Sequence, residues 1–157
     1  MTQFFQFESD FVASLRCIPM QVRLKLDTCG VKLKLVQWNQ LAQDDRQQLI
    51  DLPCETEPAV QQYRTFLHQL VLDRTGSQAS DLAIDPHPAW LDTDNIPAAV
   101  QTKAKDVGVT ISPGQWSALT PLQRFALIKL SRSSHENSNF LPALKEFQIG
   151  VADAQAD

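Results

Sequence analysis

The hydrophobic positions of this chain follow a helical period through most of its length. In two segments the apolar residues lie four and then three positions apart, which places them on one face of a helix. They are Val22, Leu26 and Cys29 in the first segment, and Val100, Ala104 and Val107 in the second. A longer amphipathic segment runs from Glu57 to about Arg74. The pattern predicts an all-α protein.

The chain also resembles itself at an offset of 78 residues, which brings Ile18 onto Ile96. Of the 35 positions in 18–52, 13 carry the residue found 78 positions later, whereas ordinary composition would give roughly two. In the first copy these residues are Ile18, Pro19, Val22, Lys25, Gly30, Val31, Gln37, Trp38, Leu41, Arg46, Leu49, Ile50 and Leu52. We infer a duplicated multi-helix unit.

Each copy is expected to begin with a helix that opens at an Ile-Pro pair and ends near Gly30 or Gly108. Glycine readily takes the left-handed conformation that stops a helix. The alternating Arg-Leu-Lys-Leu sequence within 22–35 would, by itself, indicate a β-hairpin. The second copy lacks this alternation, so we predict a helix in both.

Two Ser/Thr-Pro pairs in the second copy, Ser112-Pro113 and Thr120-Pro121, predict successive helix starts. We expect a short helix that carries Trp116, followed by a longer one to about residue 132. On the longer helix, Arg124 and Lys129 are expected to face outward.

These elements predict a single helical domain over residues 1–150. It would contain two pseudo-repeated multi-helix units, at about 18–74 and 96–149, joined by a long irregular connection at 75–95. The tail at 151–157 is expected to be disordered because it is short, polar and terminal.

The formal net charge of -4 and the pI near 5.3 argue against nucleic-acid binding, since phosphate binding needs a basic surface. No apolar stretch approaches the roughly 20 residues of a membrane-spanning helix. The first ten residues lack the basic and apolar regions of a secretory signal, so we expect a cytoplasmic protein. Without a phosphate-binding loop or catalytic motif, we expect neither an enzyme nor a bound cofactor.

The three cysteines, Cys17, Cys29 and Cys54, match no CxxC spacing. Free cysteine is most often a buried packing residue. Because all three lie in the first copy, a thiol-based metal or iron-sulfur carrier remains an alternative function. A second alternative is a helix-turn-helix DNA-binding regulator, since a helix follows a turn at 121–132.

Several long segments resemble the nitrate-reductase-associated protein family of cyanobacteria. They read FESDFVASLRCIPMQVRLKLDTCGVKL, LPCETEP, IDPHPAWLD, LTPLQRFALIKLSRS and HENSNFLPALKEF, and they cover most of residues 7–147. The resemblance implies a non-catalytic accessory factor for the molybdenum-containing, ferredoxin-dependent nitrate reductase. It also implies a role in that enzyme's maturation, stability or activity during nitrate assimilation, with the reductase as protein partner.

The resemblance assigns no residue roles, so candidate partner-binding residues come from the loops, which carry function more often than packed helices. Trp90 could anchor the connection on the core or act as an interface hot spot. His135 and Glu136 could shape their loop or take part in chemistry. The candidates are Pro86, His87, Trp90, Asp92, His135, Glu136, Asn137 and Asn139.

Overall fold

The computed structural model describes residues 4–9, 17–132 and 139–149. Within these ranges the chain forms eight α-helices, two short 3₁₀ helices and one two-stranded ladder. The predicted all-α class is therefore confirmed. The described residues group into two compact units, one of residues 9 and 17–86 with Phe4, the other of residues after 86 with 5–8.

The first unit consists of four helices and the ladder. The helices are α1 (Met20–Cys29), α2 (Leu35–Asn39), α3 (Gln43–Asp51) and α4 (Glu57–Thr75). The ladder pairs β1 (Val31–Lys32) antiparallel with β2 (Ser80–Asp81). Helix α4 contacts both α1 and α3, and the side chains of Trp38, Tyr63 and Leu67 lie in the core between these elements.

The second unit is arranged around its longest helix. Its helices are α5 (Ala98–Asp106), α6 (Pro113–Ala118), α7 (Pro121–Arg132) and α8 (Phe140–Glu146), with 3₁₀ helices at Gln6–Glu8 and Ala89–Leu91. Helix α7 contacts α5, α8 and the second 3₁₀ helix. Its side chains Phe125, Leu127 and Leu130 are fully buried, which explains its central position.

The segment 22–35 begins as a helix and not as a hairpin. Helix α1 ends at Gly30, which has a φ of 77° and donates its N–H to the carbonyl oxygen of Leu26 at 2.9 Å. Gly108 has the same φ of 77° and follows Val107, the C-cap of helix α5. Both predicted glycine stops are therefore confirmed.

The two predicted Ser/Thr-Pro helix starts are also confirmed. The Ser112 hydroxyl accepts from the Gln115 N–H at 3.1 Å, and the Gln115 side chain accepts from the Ser112 N–H at 2.8 Å. Thr120 and Gln123 repeat this reciprocal pair at 3.1 and 2.9 Å. Such capping boxes satisfy backbone N–H groups that a helix start leaves without partners.

The connection at 75–95 is less irregular than expected. It contains β2 and the 3₁₀ helix Ala89–Leu91. Strand β2 forms because the extended residues after Gly30 offer backbone groups for pairing, and the Leu82 N–H donates to the Gly30 carbonyl oxygen at 2.8 Å. Part of this segment therefore belongs to the first unit's secondary structure.

The first three helices of each unit begin 78 positions apart: α1 and α5, α2 and α6, α3 and α7. This spacing matches the offset of the sequence repeat. The duplication itself stays a prediction, as does the single domain over 1–150. The tail at 151–157 lies outside the described residues.

The 3₁₀ helix Gln6–Glu8 attaches to the end of α8. Both carboxylate oxygens of Glu146 accept backbone N–H groups, from Gln6 at 2.9 Å and from Phe7 at 3.0 Å. Phe5 stacks on Phe7 and meets Phe147 edge to face, with ring centroids 5.1 Å apart.

Among the described residues, no helix is long and apolar enough to cross a membrane.

Candidate functional site

Residues 87–95, which we call the 87–95 turn, lie against helix α7 in the second unit. The turn contains the 3₁₀ helix Ala89–Leu91. The N–H groups of Leu91 and Asp92 donate back to Pro88 at 3.0 Å and to Ala89 at 3.2 Å. Three of the eight predicted partner-binding residues, His87, Trp90 and Asp92, lie in this turn, so its construction decides which of their atoms are available.

Arg124 of helix α7 holds the turn from inside the protein. Its Nε donates to the Trp90 carbonyl oxygen at 2.7 Å, and its Nη1 donates to the carbonyl oxygens of Trp116 and Leu119. The prediction that Arg124 faces outward is wrong, since the residue is only 4% exposed. Three carbonyl acceptors offset much of the cost of burying the guanidinium.

The desolvation cost that these hydrogen bonds do not offset acts on the pKa of Arg124. Burial lowers the pKa of its guanidinium below the ordinary value, because desolvation disfavours the charged form. Arginine starts from such a high pKa that the group stays cationic at neutral pH. A positive charge therefore lies beneath the turn, bound to neutral carbonyl groups.

Trp116 fixes the turn at a second point. Its indole Nε1 donates to the Asp92 carbonyl oxygen at 2.9 Å. The ring is fully buried, which agrees with its predicted place in the core, and its one polar atom finds its acceptor in the turn. The backbone carbonyls of residues 90 and 92 are thus both held, one on each side of Leu91.

The Trp90 side chain packs on the body of the second unit. Its ring meets the buried ring of Phe125 edge to face, with centroids 5.1 Å apart and an angle of 86°. The Lys129 ammonium lies 5.3 Å from the centroid of the same phenylalanine ring. Of the two interpretations of Trp90, this contact supports the anchor more than the hot spot, although the residue remains partly exposed.

The Asp92 side chain shapes the turn. Its Oδ1 accepts the N–H groups of Asp94 at 2.9 Å and Asn95 at 3.2 Å, and its Oδ2 accepts from the Asn95 amide at 3.1 Å. The hydrogen bonds from Asn95 and from the Asp94 backbone lower the pKa of Asp92 below its usual value. Asp92 is therefore ionised at neutral pH and shapes an Asx-type turn.

The other predicted partner-binding residues are placed as follows. Pro86 and His87 are exposed, and Asn139 is half-buried at the start of α8, where its side chain forms no capping hydrogen bond. His135, Glu136 and Asn137 lie outside the described residues. The structure brings Trp90 and Asp92 together on one turn, and partner binding by any of the eight stays a prediction.

The sequence reasoning missed three residues of this site: Arg124, Phe125 and Leu91. Leu91 is 58% exposed although it follows a tryptophan that is partly buried. A usable indication was present for Arg124, because the repeat conserves an arginine eight residues after each core tryptophan. Arg46 confirms the pattern, since its Nε donates to the Trp38 carbonyl oxygen at 3.1 Å.

The cysteines show no arrangement for binding a metal. Cys29 and Cys54 are buried, and Cys17 is half-buried. Burial raises the pKa of Cys29 to about 12 and that of Cys54 to about 11. A metal ligand must be a thiolate, and burial disfavours the thiolate at both positions. Within 4–9, 17–132 and 139–149, no group of three potential ligands converges.

Helix α4 carries one more surface feature, a polar depression of about 300 Å³ lined by Gln61, Arg64, Thr65, His68, Gln69, Leu72 and Gln78. Arg64 donates to Asp81 at 2.6 Å and, through its other terminal nitrogen, to the carbonyls of Cys29 and Gly30. These bonds tie α4 to the ladder of the first unit. Since the cation already has a carboxylate partner, the depression presents no unmatched charge to a ligand.

Comparison with known proteins gives one finding. A family model described as conserved nitrate reductase-associated protein matches residues 4–147. No curated protein and no solved structure matches the chain significantly.

Proposed function

The chain belongs to the conserved nitrate reductase-associated protein family, and we propose from this premise that it is a non-catalytic accessory protein of nitrate reductase. It binds the molybdenum-containing, ferredoxin-dependent enzyme directly, in the cytoplasm. Binding supports the maturation, stability or activity of the reductase in nitrate assimilation.

The construction of the 87–95 turn is the observation that supports direct binding. A buried arginine and a buried tryptophan hold its backbone at residues 90 and 92, and Asp92 closes it from within. A loop held in one conformation loses little entropy when a partner binds, so more of its contact energy appears as affinity. Rigid loops on a helical scaffold are a common place for protein interfaces.

The direct test is size-exclusion chromatography with light scattering of this protein mixed with the cognate nitrate reductase. The reductase is used in its apo form and in its cofactor-loaded form. We expect a co-eluting complex with at least one form. Preference for the apo form would indicate a role in cofactor insertion, whereas equal binding to both would indicate a stabilising subunit. No complex with either form would contradict direct binding.

The cysteine-carrier alternative has less support, because burial disfavours the thiolates of Cys29 and Cys54 and no group of three potential ligands converges among the described residues. Metal analysis after anaerobic purification tests it directly. Stoichiometric iron or zinc would favour the carrier over the accessory protein. Arg124 does not support the DNA-binding alternative. Its hydrogen bonds go to backbone carbonyls, so the guanidinium is not presented to a ligand on the surface of α7.

A further inference from the structure

Leu91 is an apolar side chain exposed on a backbone that is held on both sides. Leu91 is 58% exposed. The carbonyl before it accepts from Arg124 at 2.7 Å, and the carbonyl after it accepts from Trp116 at 2.9 Å. The packing of the Trp90 ring and the hydrogen bonds of the Asp92 carboxylate also hold this turn, whereas the Leu91 side chain is left exposed.

Holding this backbone with the buried side chain of Arg124 has an unfavourable desolvation free energy. A buried guanidinium bound only to neutral carbonyls carries a desolvation cost that a buried apolar residue would not. In the first unit the corresponding Arg46 is half-buried, and its terminal nitrogen donates to the Asn39 carbonyl at 3.0 Å at the surface. The deeper burial of Arg124 comes with a hydrogen bond from its Nε to the Trp90 carbonyl oxygen of the 87–95 turn.

Two acidic residues follow Leu91 in the chain. Asp92 and Asp94 are the first and third residues after it, and neither carboxylate forms an ion pair with any residue that the structure describes. Asp94 is exposed, and Asp92 keeps its charge because its hydrogen bonds lower its pKa. An apolar side chain followed within three residues by two negative charges that form no ion pair complements an apolar pocket with a basic rim.

We propose that Leu91 is the anchor of the partner interface and inserts into an apolar pocket of nitrate reductase that is rimmed by lysine or arginine side chains. The proposal rests on the proposed function and adds the anchor residue and the chemistry of the surface that receives it. The negative charges of Asp92 and Asp94 attract the basic rim and set the orientation and the salt dependence of binding.

Leu91 fits this role better than Trp90, which the sequence suggested. The Trp90 ring already packs on Phe125 with centroids 5.1 Å apart, so part of its surface is unavailable to a partner. Leucine is a less frequent anchor than tryptophan. Both residues lie on the fixed backbone, but more of the Leu91 side chain is exposed to a partner, which favours it here.

The test measures the affinity of nitrate reductase for Leu91→Ala and Leu91→Asp variants by a binding titration. Leu35→Ala is the matched control, because Leu35 is 52% exposed and lies in the first unit. We expect Leu91→Ala to weaken binding about tenfold and Leu91→Asp further, while Leu35→Ala changes it less than about twofold. Unchanged melting temperatures would exclude unfolding as the cause.

The charges are tested by repeating the titration from about 50 to about 300 mM salt, over which the Debye length shortens severalfold. Asp94→Asn is compared with Asp106→Asn, a change at an exposed carboxylate at the end of α5. We expect wild-type affinity to fall with salt, and Asp94→Asn to reduce both the affinity and this salt dependence. Asp106→Asn should behave like the wild type.

The outcomes separate the two proposals. If wild-type protein binds the reductase and Leu91→Asp binds equally well, the anchor is wrong and the accessory function stands. If wild-type protein does not bind the reductase at all, the accessory function is wrong and the anchor falls with it. If the protein alone forms a dimer that Leu91→Asp dissociates, Leu91 serves self-association, which would also overturn the proposal.

Discussion

Arg124 donates hydrogen bonds to three backbone carbonyls, and among the described residues no carboxylate pairs with it. Its guanidinium therefore acts as a connector of backbone segments more than as one half of an ion pair. The planar fork of arginine can reach several acceptors at fixed angles, which the single ammonium of lysine cannot reproduce. Helix α7, helix α6 and the 87–95 turn all depend on this one side chain.

Replacing Arg124 by methionine should lower the free energy of unfolding by about 3 kcal/mol or more, since the three carbonyl oxygens would lose their buried donor. Arg124→Lys should recover only part of this loss. Arg132→Met, at the exposed end of α7, is the control and should cost less than about 0.5 kcal/mol. Urea denaturation followed by tryptophan fluorescence measures the difference. If Arg124→Met and Arg132→Met lower the free energy of unfolding equally, the hydrogen bonds of Arg124 do not contribute to it.

At the scale of elements, each unit starts with a helix that ends at a left-handed glycine, but the surroundings of the two glycines differ. Gly30 and Gly108 share a φ of 77°. A Cβ at Gly30 would lie 2.7 Å from the Ile84 side chain and 2.9 Å from the Leu82 carbonyl oxygen, whereas at Gly108 nothing lies within 4 Å. Gly30 therefore serves two purposes, the helix stop and the close approach of the segment after β2.

We expect Gly108→Ala to cost about 1 kcal/mol, the ordinary penalty for a left-handed alanine. Gly30→Ala carries the same penalty and adds the clash with Ile84 and Leu82, so its total should be about 3 kcal/mol. The two variants are compared by thermal and chemical denaturation. If they lose equal stability, the close approach at Gly30 contributes nothing and only its conformation matters.

At the scale of the whole molecule, the buried thiols make the free energy of unfolding depend on pH in the alkaline range. The pKa of Cys29 is raised to about 12 and that of Cys54 to about 11, from 9.0, by burial. The unfolded chain therefore loses these protons first as the pH rises. The stabilising contribution is complete below about pH 9 and is lost as the pH approaches 11 to 12.

The free energy of unfolding should fall above pH 9 by up to about 1.4 kcal/mol per pH unit for each thiol. Lys25 opposes this trend, because burial lowers its pKa from 10.5. Urea midpoints measured from pH 8 to pH 11 under reducing conditions test the prediction. The slope should be smaller in a Cys29→Ala/Cys54→Ala double variant. A wild-type slope no larger than that of the double variant would contradict the burial of both thiols.

Part of the candidate site could be predicted from the sequence. The prolines and the tryptophan of residues 86–92 mark a segment that is neither a regular helix nor a simple linker, and they led to Trp90 and Asp92. Which side chain of the turn is available to a partner could not be predicted, because the answer depends on Phe125 and Arg124, far along the chain. Adjacent residues in a turn point in different directions, and the packing partner decides which one is covered.

The sequence by itself determined the helices of this protein, because their period, caps and glycine stops act over about four residues. The tertiary structure alone decided the burial of Arg124, the packing of Trp90 and the exposure of Leu91. The bonds responsible join residues 24 and 34 positions apart. Such contacts form only after the helices have packed, and the cost of burying a charge is known only once the acceptors that surround it are in place.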